Sequence, residues 1–203
     1  MNFDTYTGGF AETNGYLIET PDGSHILIDA PAKVTDWLAQ KGITPSHLLL
    51  THQHFDHIEA AGALQKLGVE VLAWSPYSTD LTLEETVRSW GMPLNFPEFA
   101  VDRTIEGETT LEVAGISFAL AHVPGHSPDS VTFHHADSGL CFSGDTVFAG
   151  SIGRTDFPHG DHPLFISSIK EKVLTLPDET RLLPGHGPET TVGVEKISNP
   201  FLT

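Results

Sequence analysis

The sequence predicts an α+β fold, with two sheets packed face to face and helices on the outside. Three observations lead there. Short β-rich runs recur in both halves of the 203 residues, segments with helical spacing fall between them, and Gly, Pro and Asp turns punctuate the whole. No repeat, low-complexity tract or linker divides the chain. Residues 1–203 are therefore expected to form one domain, and 39% hydrophobic residues suffice for a sizeable core.

Taken in order, Gly15 to Thr20 and His25 to Asp29 flank Pro21-Asp-Gly-Ser24 and read as a hairpin. Val34, Trp37 and Leu38 have helical spacing over residues 33–41, and Gly42 is placed to cap that helix. Ser46 to Leu50 is a buried strand. Ile58 to Leu67 suits a helix ending at Gly68, and Val69 to Trp74 a further strand. Residues 75–100 carry Pro76, Pro93 and Pro97 and read as a mixed helix-and-loop insertion that borders a site. Strands are expected at Glu112 to Val123, Ser130 to His135, Leu140 to Ser143 and Arg181 to Leu183, with a helix over Pro163 to Leu176.

Composition narrows the function. A net charge of −17 repels a phosphate backbone, and the ten Lys and Arg form no basic run, so nucleic acid is not an expected partner. No stretch approaches the roughly 20 apolar residues of a membrane span, and the first residues lack the pattern of a secretory signal. A soluble, cytoplasmic protein without a membrane partner is expected. The single cysteine, Cys141, excludes an internal disulfide and is expected as a small buried hydrophobe in a strand.

The chemistry is concentrated at residues 52–57, His-Gln-His-Phe-Asp-His, directly after the apolar run Leu48-Leu49-Leu50. His52 and His54 project to the same side of an extended segment, while the adjacent Asp56 and His57 point elsewhere, so the cluster can serve two ions. It is expected on a strand-to-helix loop. Three more candidates, His126, Asp145 and His186, each follow a glycine at the end of an expected strand. Imidazole and carboxylate suit zinc, and also iron or manganese. Seven ligands with one bridging carboxylate give two divalent ions four or five positions each, with room for a shared water. His25, His47, His122, His134, His135, His159 and His162 match no ligand position.

The ordered set His52-x-His54-x-Asp56-His57, His126, Asp145 and His186 resembles the metallo-β-lactamase superfamily, whose fold is a four-layered αβ/βα sandwich. The resemblance spans nearly the whole chain. It implies that His52, His54 and His126 hold one metal, that Asp56, His57 and His186 hold a second, and that Asp145 bridges them. It also implies that Asp29 lies beneath the site and orients a ligand, as a carboxylate behind a metal-binding histidine does. Gly150 to Phe157 and the ending from Pro184 to Leu202 resemble small relatives of glyoxalase II, the hydroxyacylglutathione hydrolases. In that family a basic residue after the bridging Asp contacts glutathione, and Arg154 occupies the matching place; a guanidinium can pair a carboxylate in bidentate fashion despite the adverse net charge. Two departures stand out. Full-length glyoxalase II carries a C-terminal helical substrate domain that is not expected here, and Asp129 stands where relatives have glycine.

The reaction implied is hydrolysis of a small glutathione thioester of the S-lactoylglutathione type by a metal-bridging hydroxide that Asp56 helps to orient. Two rivals share these ligands. Persulfide dioxygenases resemble the chain at Gly153-Arg-Thr-Asp-Phe157 and use one iron at the positions of His52, His126 and Asp145. Lactonases and other hydrolases of the superfamily share the full set.

Overall fold

Alternation along the strands decides how the layers stack. The computed structural model describes residues 1–91 and 98–203; Pro93 and Pro97 of the expected insertion lie outside the described residues. A first sheet joins β1 (Phe3–Gly8), β2 (Thr13–Glu19), β3 (His25–Ile28), β4 (His47–Leu49), β5 (Glu70–Ala73) and β6 (Arg103–Thr104) in sequential order. Its first two pairings are antiparallel and the next three parallel. Between these strands lie α1 (Val34–Lys41), α2 (Phe55–Ile58), α3 (Ala61–Lys66), α4 (Thr79–Thr82) and α5 (Glu84–Ser89).

The second sheet is built from β7 (Thr110–Val113), β8 (Ile116–His122), β9 (Val131–His135) and β10 (Leu140–Gly144). A small ribbon of β11 (Val147–Phe148) and β12 (Ser151–Ile152) follows, then α6 (His162–Ser168), β13 (Arg181–Pro184), β14 (Thr190–Thr191) and α7 (Val192–Ser198). The sheet order is β14-β13-β10-β9-β8-β7. Because β8–β9 and β9–β10 are antiparallel while β10–β13 is parallel, β8, β10 and β13 all run the same way and end at the same edge.

Successive side chains serve different layers. Ile26, Ile28, Leu49 and Leu72 meet Phe118, Phe133, Phe142 and Leu183 between the sheets. Leu27, Leu48, Leu50 and Val71 face the other way onto Val34, Leu38 and Leu64 of the helices. Cys141 and Leu182 pack on Phe165, Ile169 and Val173 behind the second sheet. The result is the helix, sheet, sheet, helix sandwich. Burial raises the Cys141 thiol to about 12, so it stays protonated and inert.

Several boundaries differ from the sequence reading for local reasons. Glu112 to Val123 is two strands rather than one: Ala114 and Gly115 both have positive φ (47° and 75°), and Val113 pairs with Ile116 around a two-residue turn. The helix expected from Ile58 begins at Phe55, which puts Asp56 and His57 in a helical turn rather than a loop, and it breaks before Ala61. The helix expected over 163–176 is α6 followed by a wider π-helical turn at Ile169–Val173. Gly42 caps α1 in the left-handed conformation, its N–H reaching the carbonyls of Ala39 and Leu38.

Candidate metal centre

Each candidate ligand follows a strand: His52 to His57 after β4, His126 after β8, Asp145 after β10 and His186 after β13. The common edge of β8, β10 and β13 therefore gathers three of them beside the first cluster. Glycine makes the approach possible at Gly185, where a Cβ would collide with Asp145 Oδ1 and His57 Cε1. At Gly144, φ is +50° and a Cβ would strike Thr51.

The side chains form three overlapping groups whose ligand atoms lie within 4.8 Å of one another: His52, His54 and His126; Asp56, His57 and His186; and, between them, His52, His57 and Asp145. Asp145 faces both ends. Its Oδ2 lies 3.5 Å from His126 Nε2 and 3.3 Å from His186 Nε2, and its Oδ1 lies 3.3 Å from His57 Nε2. Ligand atoms about 2.05 Å from a tetrahedral ion stand roughly 3.3 Å apart, so these separations suit donors to a common ion. Among the described residues, the buried Nε2 atoms of His52, His57 and His126 and Oδ1 of Asp145 have no hydrogen-bond partner. Such atoms are costly to bury unless a hydrogen-bond partner or an ion binds them. The residues fit a metal pair.

Partners behind the rings fix which nitrogen is free. His57 Nδ1 lies 2.8 Å from Asp29 Oδ2, His126 Nδ1 donates to the Arg154 carbonyl at 2.7 Å, and His186 Nδ1 donates to the Ala11 carbonyl at 3.0 Å. A carbonyl only accepts, so the proton sits on Nδ1 and Nε2 faces the site. Asp29 is held in the left-handed region (φ 58°), where Asp is tolerated, and accepts from the Thr51 N–H at 2.8 Å and hydroxyl at 2.7 Å. The Thr13 hydroxyl donates to Asp56 Oδ2 at 2.6 Å. Neither Thr13 nor Thr51 was expected from sequence, because nothing local marks a threonine as a partner of a distant carboxylate.

Residues 8–186 match the Metallo-beta-lactamase superfamily. The chain belongs to that superfamily. It is 44% identical over 162 residues to "Hydroxyacylglutathione hydrolase GloC" of Haemophilus influenzae, covering 76% of this chain and 74% of that one. It is 36% identical over 209 residues to "Probable metallo-hydrolase YqgX" of Bacillus subtilis, covering 96% and 94%. Among solved structures, the BLEG-1 B3 metallo-beta-lactamase superposes with a TM-score of 0.88 at 35% identity over 100% of both chains. TTHA1623 in a di-iron-bound form gives 0.82 at 38% identity over 98% and 100%. ETHE1 from Myxococcus xanthus gives 0.79 at 26% identity over 98% and 84%.

Electrostatics divide this superfamily site in two. Burial and the neighbouring imidazoles hold His52 and His54 well below the ordinary histidine range, and burial also lowers His126. The other half behaves oppositely. Burial would lower His57 too, but Asp56, Asp29 and Asp145 raise it well above the usual value; His186, half-buried and beside Asp145 and Asp56, rises to about 10. Burial pushes both carboxylates up, yet His57 and His186 prevail, holding Asp56 at about 2 and Asp145 well below the carboxylate range.

The centre opens into a cleft of about 370 Å³. Arg154 lines it, with Nε and Nη2 bound to Asp156 at 2.6 and 2.7 Å and the guanidinium 4.1 Å above the Phe157 ring. Leu83 and Trp90, from the segment expected to border a site, line the cleft as well. Asp129 is not at the cleft. It is buried, accepts from the Ser127 hydroxyl at 2.5 Å, and burial raises it to about 6. None of the seven histidines set aside in the sequence joins a metal-competent group among the described residues, and no described helix is long and apolar enough to cross a membrane.

Proposed function

We propose that the chain is a binuclear metallohydrolase that cleaves a small thioester of the glutathione type. The observation that carries this reading is the clustering of seven side chains at one cleft, five of them lining it, as two triads with the Asp145 carboxylate facing both. His52, His54 and His126 would hold one divalent ion and Asp56, His57 and His186 the other, with Asp145 between them; zinc suits the donors, and iron or manganese is compatible with them. When bound, the metals supply a hydroxide near neutral pH, by lowering the pKa of water from 15.7 to about 7, and a positive field for the developing oxyanion.

The protein's own groups do the rest. Asp29 and the Arg154 and Ala11 carbonyls keep three Nε2 atoms aimed inward. Asp56, steadied by Thr13, presents an acceptor that orients the attacking water. Arg154 is the lysine-or-arginine cation among the described cleft-lining residues, and Asp156 already engages two of its N–H groups. A thiol with a pKa near 8.5 leaves as thiolate, so the site needs no strong general acid. The similarity to a hydroxyacylglutathione hydrolase supports the thioester, and a cytoplasmic setting suits such a substrate.

A second reading has support from a specific observation. His52, His126 and Asp145 are a two-histidine, one-carboxylate set, and the structural likeness to ETHE1 is compatible with a mononuclear-iron persulfide dioxygenase. Metal content per chain, measured with S-lactoylglutathione hydrolysis and oxygen uptake on glutathione persulfide, separates the two. Two metals with thioester turnover are expected; one iron with oxygen uptake overturns the hydrolase reading.

A further inference from the structure

Outside the candidate metal ligands, the cleft is lined mainly by apolar side chains, half of its residues carrying rings. Trp90 stands 6.0 Å from Phe157, and Phe157 stands 5.9 Å from His54, so a ladder of rings leads from the surface to one triad. On the other side Phe148 stands 5.9 Å from His186 of the second triad. Phe10 adds a fourth ring and is 74% exposed; Trp90 is 54% exposed. Large exposed aromatics usually lie singly on a surface, and a group of them rimming a cleft with convergent polar atoms marks a ligand site.

The polar side of the same cleft is thin. Arg154 already gives two of its N–H groups to Asp156 and its face to Phe157. Asp156 gains from the exchange, since the Arg154 hydrogen bonds hold its carboxyl at about 2. A substrate carboxylate must displace that partner and also enter against a net charge of −17. Apolar surface meets no such competitor.

We infer that the cleft selects its substrate by an aromatic or similarly bulky apolar group beside the reacting carbonyl, held between Phe10, Trp90, Phe148 and Phe157, and not by the carboxylates of the thiol part. The inference deepens the thioester reading and rests on it for the bond that is cut, while the binding surface stands on the rings alone. Phe157 touches both Arg154 and the His54 ring, so it couples this surface to the metal triad; Phe10 and Trp90 are the rings whose removal disturbs the centre least.

The test is a set of four non-hydrolysable thioethers, S-benzyl and S-methyl derivatives of glutathione and of N-acetylcysteamine, a thiol without carboxylates. Their dissociation constants on the metal-loaded protein are read by calorimetry, for the wild type and for Phe10→Ala and Trp90→Ala. Burial of a phenyl group predicts benzyl binding roughly tenfold or more tighter than methyl on both thiols, with the ratio falling severalfold in each variant. Equal benzyl and methyl affinities, no measurable binding of any of the four, or a benzyl preference untouched by both variants overturns the inference. Thioester turnover is scored separately on S-phenylacetylglutathione. A benzyl preference without turnover of that compound removes the hydrolase reading and leaves the apolar site, whereas turnover without the preference does the reverse.

Discussion

The two halves of the candidate metal centre use the same imidazole chemistry in opposite electrical states. His52, His54 and His126 are deeply buried among one another, and burial keeps them neutral, with lone pairs ready for an ion. His57 and His186 sit against Asp56, Asp29 and Asp145 and hold protons in the metal-free protein. The carboxylates would attract a cation to either half, but only in the second would an ion have to displace protons to bind. Charge neighbours, more than ligand identity, set how each half responds to pH and to mutation.

The most severe loss is expected at the group common to both halves. Asp145→Ala removes the carboxylate that faces His126, His57 and His186, and hydrolysis should fall by more than about 100-fold, beyond the loss of a supporting partner. Initial rates at saturating metal measure it. A loss of only a few fold would mean that the halves act independently.

Next comes pH. His186 releases its proton near 10 and His57 also above the usual range, so binding to the second half should strengthen as pH rises, at least about tenfold per unit between pH 7 and 9. The first half has lowered values, so its affinity should be nearly flat over that interval. Chelator-competition titrations across pH resolve the two, and parallel pH slopes would remove the distinction.

Substitution behind His57 should act on the second half alone, and less severely. Asp29→Asn keeps a residue that tolerates φ 58° but takes the charge from His57 Nδ1, and affinity in the second half should drop roughly 10- to 100-fold while the first half is nearly unchanged. Arg154→Ala should do least. Its side chain is more than half exposed and committed to Asp156, so kcat/KM for a glutathione thioester should change by no more than about fivefold, the scale of an exposed ion pair. A larger loss would show that Arg154 leaves Asp156 to hold substrate.

Much of this centre was legible because local sequence constrains it. The residues from His52 to His57 crowd ligands into one strand exit, and a glycine precedes each of His126, Asp145 and His186 where backbones must approach closely. The hairpin of Gly15 to Thr20 and His25 to Asp29 was equally visible, although β1 was not. Its half-exposed pattern gives an edge strand little apolar signal. The aromatic rim was illegible for a different reason. Phe10, Trp90, Phe148 and Phe157 come from four separate segments, and no spacing along the chain says that they meet. The Ala114-Gly115 turn was missed because alanine seldom adopts positive φ.

Whether these seven side chains form a two-ion hydrolytic centre is read out by a stoichiometric metal titration of the stripped protein. At pH 8, with thioester hydrolysis followed at each addition, binding should saturate at two ions per chain, with activity reaching its plateau only as the second is taken up. Saturation at a single ion, or a fully loaded protein that turns over no thioester, would contradict it.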